Sequence, residues 1–255
     1  MQELKDKVVV ISGALGDIGL AIATAYLKAQ AIVVLSDIVP LDKADDKLLL
    51  LKDYKGNFEY KSLNVSDYKE VEVFINEVEA KYGKIDHCIS NAARVTIKDF
   101  KTLTPEEWSL EMRVNVDGAF YFANFAAKSM VEKQVKGSIL FLGSWAAHAV
   151  HQNLPAYSVS KSAVRMINQT MALEYAPNGI RVNEIAPGYV NAGLSKTVWS
   201  ELPEQKSISQ TKVPLGKIME AEEVAAQVLW LNSSQCQHVT GSTFLMDGGL
   251  SLLRP

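Results

Sequence analysis

A chain of 255 residues with 48% apolar side chains is long enough for one large α/β domain or two small ones around a sizeable core. A formal net charge of −3 without a long basic run speaks against nucleic acid or an anionic membrane as partner. The first apolar run, residues 8–11, is too short for a signal peptide or a span, and Cys88 and Cys236 have neither metal-ligand spacing nor the number for a disulfide framework, so a cytoplasmic protein is expected.

Residues 8–11, Val-Val-Val-Ile, predict a buried parallel strand. They run into Ser12-Gly13-Ala14-Leu15-Gly16-Asp17-Ile18-Gly19 and then into a helical pattern over residues 20–28. Strand, glycine turn and helix together form a dinucleotide-binding pattern, because the helix N-terminus offers free N–H groups and a positive dipole end to a pyrophosphate. Taken alone, the same glycines also read as a tight turn. A second strand, residues 32–35, ends in Ser36-Asp37. Asp37 stands 37 − 19 = 18 residues past the last glycine, near the spacing at which a carboxylate bonds the adenosine ribose hydroxyls. Asp37 would repel a 2′-phosphate, and the turn holds no Arg or Lys to attract one, so NAD(H) is expected over NADP(H).

A charged helix over residues 41–52 and a strand near residues 58–63 come next. Ser66-Asp67 caps a helix running to about residue 82, with Val71, Phe74, Ile75 and Val78 on its apolar face. Residues 84–90 are the following strand. Thr104-Pro105-Glu106-Glu107 reads as a helix start, and the helical pattern continues to about residue 131. Inside it, Val114-Asn115-Val116 buries an amide among valines, which is costly unless the amide is bonded.

The richest chemistry lies in residues 143–161. Ser144 follows a strand over residues 138–142, and Tyr157 and Lys161 are i and i+4 on one helix face. Ser144 precedes Tyr157 by 157 − 144 = 13 residues, with a loop that can fold back. A phenol, an ammonium and a hydroxyl then converge, a group suited to moving a proton to or from a carbonyl or alcohol oxygen. A nearby cation favours phenolate, so Lys161 is expected to lower the Tyr157 pKa. The pair alone also reads as an ordinary helical pair, but no other tyrosine here has a lysine four residues on. His148 and His151, three apart with no third ligand nearby, predict pocket-rim or surface residues and no metal site. A helix over residues 157–175, a strand over 180–186, a helix over 221–231 and a strand over 243–246 complete the pattern. Residues of about 190–213 are polar and broken by Pro203, which predicts a lid over substrate with Leu194, Trp199 and Leu202 on its inner face.

Taken together, these motifs resemble the short-chain dehydrogenase/reductase family, single-domain type, over nearly the whole chain. The resemblance implies one doubly wound Rossmann-type α/β domain, residues 1–255, with a mostly parallel sheet. It implies hydride transfer between a nicotinamide and a secondary alcohol or ketone. Tyr157 would be the acid or base, Ser144 would orient the substrate oxygen, and Lys161 would also hold the nicotinamide ribose. Asn115 would distort its helix and keep a proton-relay water. Cofactor contacts would come from Gly13, Gly16, Asp17, Ile18 and Gly19 in the turn, Asp37, Asn64-Val65 at the adenine, Asn91-Ala92 at the ribose, and Tyr157 and Lys161. Pro187-Gly188-Tyr189-Val190 would cover the nicotinamide, with the Val190 backbone on its carboxamide. Asp247-Gly248-Gly249 matches a further family signature. Three positions depart from the pattern: Ala93, Ala192, and Asp17 where the middle glycine belongs. Asp17 is expected to turn outward and cap the helix. Ser144, Trp145, His151, Tyr157, Tyr189 and Asn191 are the expected substrate contacts. Their mixture of polar groups and aromatics suits a sugar, polyol or other hydroxylated small molecule, with an apolar cyclic or acyl ketone as the alternative. A non-catalytic dinucleotide-binding regulator stays open, although the Tyr-Lys pair argues against it. A dehydratase or epimerase using bound NAD also stays open, but leaves no residues for the separate substrate domain usual there. A homo-oligomer, dimer or tetramer, is implied, through the helix that follows Tyr157 and the apolar tail, residues 250–255.

Overall fold

The structure is a computed structural model that describes residues 2–54 and 56–253. Strands β1 (Val8–Ser12), β2 (Ile32–Asp37), β3 (Phe58–Ser62), β4 (His87–Ser90), β5 (Ser138–Leu142), β6 (Arg181–Pro187) and β7 (Thr243–Met246) form one sheet in the order β3-β2-β1-β4-β5-β6-β7. Every pairing among them is parallel, as in Val9↔Val33 and Phe141↔Glu184. The helices are α1 (Asp17–Lys28), α2 (Asp45–Leu48), α3 (Tyr68–Tyr82), α4 (Pro105–Met112), α5 (Gly118–Glu132), α6 (Pro155–Tyr175), α7 (Gly193–Glu201), α8 (Pro203–Thr211) and α9 (Ala221–Leu231).

Alternation along the central strands splits the core in two. Val9, Ile11, Val33 and Leu35 pack against Ile22 and Tyr26 of α1 and Val224 and Val228 of α9. Val8, Val10 and Val34 face Phe74 and Val78 of α3, Phe122 of α5 and Val164 of α6. Strands covered on both faces need continuous apolar runs, which is why β1 and β5 are buried throughout. Each fully buried side chain of this size contributes about 1.5–3 kcal/mol of transfer free energy.

Parallel pairing puts every strand's C-terminal end on one edge of the sheet. Strand order reverses between β1 and β4, and a crevice opens there beyond the strand ends. Ser12, Asp37, Ser90, Leu142 and Pro187 end their strands at that edge.

Local chemistry set most boundaries. Asp67 caps α3 by accepting the Lys69 and Glu70 N–H groups, and Gly83 ends that helix at φ 78°. Thr104 and Glu107 form a reciprocal capping box ahead of α4. The helix expected to continue to about residue 131 is instead interrupted by a π-turn, Arg113–Asp117, centred on buried Asn115. The charged helix expected over residues 41–52 is broken into short turns around α2. Few of its side chains are buried, and a four-residue helix without a packed face does not propagate. β4 begins at His87, later than expected, although the Asp86 backbone still bonds to Val8 and Ser138 and its carboxylate is held by Lys7, Lys84 and the Val8 N–H. The expected lid is two short helices, α7 and α8, meeting at Leu202 and Pro203. Residues 254 and 255 of the expected tail, and the side chain of Leu194, lie outside the described residues. Among the described residues no helix is long and apolar enough to cross a membrane.

Candidate active site

A cleft of about 690 Å³ runs along the C-terminal edge of the sheet, from Asp37 and the glycine turn at one end to Trp145, Tyr157 and α7 at the other. Its size suits a bound small molecule.

The glycine-turn end is held by side chains the sequence pointed to. Ser12 Oγ accepts the N–H groups of Asn91 and Ala92 at 3.1 and 3.2 Å. Asn91 Nδ2 donates to the carbonyls of Ser12 and Gly13 at 3.1 and 2.8 Å. Both amide hydrogens of Asn91 are therefore spent on tying β4 to the turn. Gly13 has φ +62°, and a Cβ there would lie 2.6 Å from Ala92 Cα. A Cβ at Gly19 would lie 2.4 Å from the Gly13 carbonyl, so neither glycine has room for a side chain. Gly16 is the N-cap of α1 and no side chain caps the helix. The first-turn N–H groups of Asp17, Ile18 and Gly19 are thus open to an anion, as a dinucleotide phosphate requires. Asp37 reaches over the turn, Oδ2 accepting the Leu15 N–H at 3.1 Å and Oδ1 the Val39 N–H at 3.4 Å. Asn64 and Val65 line the same wall, with Asn64 Oδ1 taken by Ser66. Pro187, Gly188 and Val190 line the cleft beyond β6.

Asp17 corrects part of the expectation. It turns aside from its own helix but does not cap it. Asp17 Oδ2 accepts the N–H of Gly193, the first residue of α7, at 2.8 Å, and Lys47 Nζ lies 3.9 Å from Oδ1. As the first residue inside α1 it stands past the cap position, so its carboxylate is free to reach another element.

At the other end, Ser144, Trp145, His151, Tyr157 and Tyr189 line the cleft. Four aromatic rings follow one another edge to face: His151 on Trp145 at 5.2 Å, Trp145 on Tyr189 at 5.5 Å and Tyr189 on Trp199 at 6.2 Å. Trp199 of α7 lines the cleft, whereas Leu202 is exposed at the junction of α7 and α8. Asn191 is a correction: its amide donates to both carboxylate oxygens of Glu220, at 3.2 and 2.9 Å, outside this cleft. Val190 bridges Met219, and alternation along that extended segment sends the side chain of Asn191 to the opposite side. His148 is also not in the cleft; its Nδ1 lies 3.3 Å from Arg165 Nη1.

Lys161 and Asn115 stand one layer behind the cleft wall. The Lys161 ammonium donates to the Leu142 carbonyl at 2.6 Å and lies 5.6 Å from the centre of the Tyr157 ring. Asn115 accepts the Arg94 N–H at 2.7 Å and donates to Arg94 O at 2.8 Å and Ser160 Oγ at 3.0 Å. It thereby clasps the loop after β4 to α6. Ser144 Oγ accepts the Ala146 N–H at 3.2 Å.

The electrostatics differ from the expectation. Burial pushes the Tyr157 phenol up from 10.0 to about 12, with Glu111 adding to the rise and the Ser144 hydroxyl opposing it. Burial also draws Lys161 down from 10.5 to about 8, against the pull of Glu184 and Glu111. Burial therefore outweighs the groups that favour phenolate at Tyr157. Two buried carboxylates beside this group, Glu111 and Glu184, escaped the sequence reading. A glutamate inside the apolar run of β6 was the signal for Glu184. The apolar patch of Val95, Ile97, Leu154 and Val198 in the cleft was also missed, because loop residues carry no periodicity.

A family model described as enoyl-(acyl carrier protein) reductase matches residues 13–251. The glucose 1-dehydrogenase 2 of Bacillus subtilis (strain 168) is 31% identical over 257 residues, covering 98% of this chain and 97% of that protein. The chain belongs to the short-chain dehydrogenase/reductase family. The 3beta-hydroxysteroid dehydrogenase 1 of Eggerthella lenta is 30% identical, over 98% of this chain and 95% of its own. A solved short-chain dehydrogenase/reductase from Mycobacterium marinum superposes with a TM-score of 0.89 at 29% identity, covering 97% of this chain and 96% of that one. This family consists of oxidoreductases that bind a nicotinamide dinucleotide and act on CH–OH groups of small molecules.

Proposed function

We propose that this short-chain dehydrogenase/reductase is an NAD(H)-dependent enzyme that interconverts a secondary alcohol and a ketone. The observation that carries the reading is that Ser144 and Tyr157 face the same cleft as the glycine turn and Asp37. Asp37, at the ribose end, supports NAD(H) over NADP(H) by hydrogen bonding and by repelling a 2′-phosphate. When bound, the dinucleotide supplies the hydride donor or acceptor. Tyr157 gives a proton to the carbonyl oxygen in reduction and takes it back in oxidation, while Ser144 orients that oxygen. Lys161, behind the ring, provides the positive charge that stabilises the phenolate left after proton transfer. Asn115 holds the loop and α6 in register.

The substrate end carries no Lys or Arg among its lining residues, which favours an uncharged substrate. We assign a hydroxylated ring, a sugar or polyol, stacked on Trp145 and Tyr189 and bonded by His151 and Gln152. Val95, Ile97, Leu154 and Val198 support a second reading, an apolar cyclic ketone. The chain acts as a single domain with α7 and α8 as a substrate lid. Exposed Phe120, Val159, Met166 and Leu173 support a homo-oligomer, dimer or tetramer, through α5 and α6. The two free, buried cysteines support a reducing, cytoplasmic setting.

The test is absorbance of reduced nicotinamide with NAD and with NADP, against polyols, sugars, cyclic alcohols and their ketones. Turnover of polyols with NAD is expected. Turnover of cyclic ketones alone selects the second reading, and no turnover of any alcohol or ketone overturns both.

A further inference from the structure

Glu184 is fully buried in the middle of β6, opposite Phe141 of β5. Its Oε2 accepts the Thr243 hydroxyl at 2.6 Å, and its Oε1 has no hydrogen-bond partner among the described residues. The carboxylate fills the space that a side chain at position 143 would take: a Cβ on Gly143 would lie 1.8 Å from Oε1 and 2.6 Å from Cδ. Gly143 stands between Leu142, whose carbonyl holds the Lys161 ammonium at 2.6 Å, and Ser144 in the cleft wall. A missing side chain in the active-site strand is thus replaced by a negative group beside the lysine's anchor.

We propose that Glu184 is a positioning residue for Lys161, its carboxylate seated on Gly143 to keep the ammonium charged and held at the end of β5. The inference rests on the reading of Lys161 as the cation of the reaction. A buried ammonium loses its proton readily unless an anion stands near. Lys161 feels two anions, Glu184 from β6 and Glu111 from α4. Burial raises the Glu184 carboxyl above its usual value, and Thr243, Lys161 and Arg165 oppose that rise. Tyr157 feels Glu111, and Arg165 borders His148. Glu111 already accepts the Thr96 N–H through Oε2, so it is partly committed to its own loop. Glu184 has no such backbone partner, and its free oxygen is the one over Gly143.

Glu184→Gln keeps the shape and a hydrogen bond to Thr243 while removing the charge. The readout is the titration of Lys161 in protein labelled with ζ-15N-lysine, its signal assigned by loss in Lys161→Arg. In Glu184→Gln the midpoint is expected to fall by about 1 pH unit or more. The alkaline limb of the ketone-reduction rate should move to lower pH by the same amount. Thr243→Val, which weakens support for the carboxylate, should shift Lys161 in the same direction by less, and it stands in if Glu184→Gln does not fold. An unchanged Lys161 midpoint in the folded variants overturns the inference. A shifted midpoint in a protein without activity on any alcohol or ketone supports it, and removes the oxidoreductase reading instead.

Discussion

Replacing Asp17 with alanine removes the acceptor for the Gly193 N–H and the partner of Lys47. A hydrogen bond to a charged group contributes about 1.5–3 kcal/mol when well shielded. The Asp17 side chain keeps 26% of its exposure and Gly193 is exposed, so water competes and about 1 kcal/mol is the better figure. The Lys47 contact, at 3.9 Å with that lysine half exposed, adds less than about 0.5 kcal/mol. A loss of about 1 kcal/mol confined to the start of α7 raises the population of its opened form about fivefold. Hydrogen–deuterium exchange read by mass spectrometry should show residues 191–201 exchanging about fivefold faster in Asp17→Ala, with residues 17–28 unchanged. NAD affinity should stay within about threefold. Faster exchange in α1 with an unaltered α7 would refute this reasoning and restore Asp17 as a helix cap.

Tyr157→Phe should fold and bind NAD as before while turnover falls about 10²-fold or more, measured by steady-state kinetics. Near-normal turnover would remove Tyr157 from the reaction. Asp37→Ala should narrow the preference for NAD over NADP, read as the ratio of kcat/KM values, and a wild type that uses both equally would sink the assignment. His87, buried against the Tyr26 hydroxyl at 3.1 Å, is pushed down from 6.5 to about 4. The unfolded chain then binds more protons between those pH values, so stability falls as pH drops from 6.5 towards 4. The contribution is about 3 kcal/mol, and His87→Gln should flatten the pH dependence of the melting temperature over that window relative to wild type. An unchanged slope would show that His87 is not the titrating group.

Much of this molecule was legible because its signals are local. Short apolar runs named β1, β2 and β5, and Asp67 and Thr104 named helix starts through their own side-chain oxygens. Ser144, Tyr157 and Asp37 were readable because the spacing to the nearest strand or helix end fixes where they emerge. The rest depends on contacts far apart in sequence. Asp17 and Gly193 are 176 residues apart, and nothing near Asp17 announces that partner. Asn191 was misplaced because its direction is set by the bridge between Val190 and Met219. Asn115 could be flagged as a buried amide, but its choice of Arg94 and Ser160 needs the folded loop. Glu184 could be noticed as a carboxylate in a buried strand, but its void is created by Gly143, just past the end of the neighbouring strand.

The electrostatics of the cleft bear on direction as well as on rate. A phenol pushed up to about 12 is a proton donor at neutral pH, ready to protonate a carbonyl oxygen as hydride arrives. The reverse reaction needs the phenolate, which the same burial disfavours. Glu111 sharpens the bias, because its charge raises the phenol further. It also favours the charged form of Lys161, so one carboxylate pulls the two groups towards opposite needs. The positive charge that stabilises phenolate must therefore come from Lys161, held on the Leu142 carbonyl behind the ring and drawn down to about 8. Below that pH the lysine is charged, the phenol neutral and the pair set for reduction. Above it the lysine loses the charge that favours phenolate. For oxidation, the Ser144 hydroxyl opposes the rise of the phenol and so works with the Lys161 charge towards phenolate.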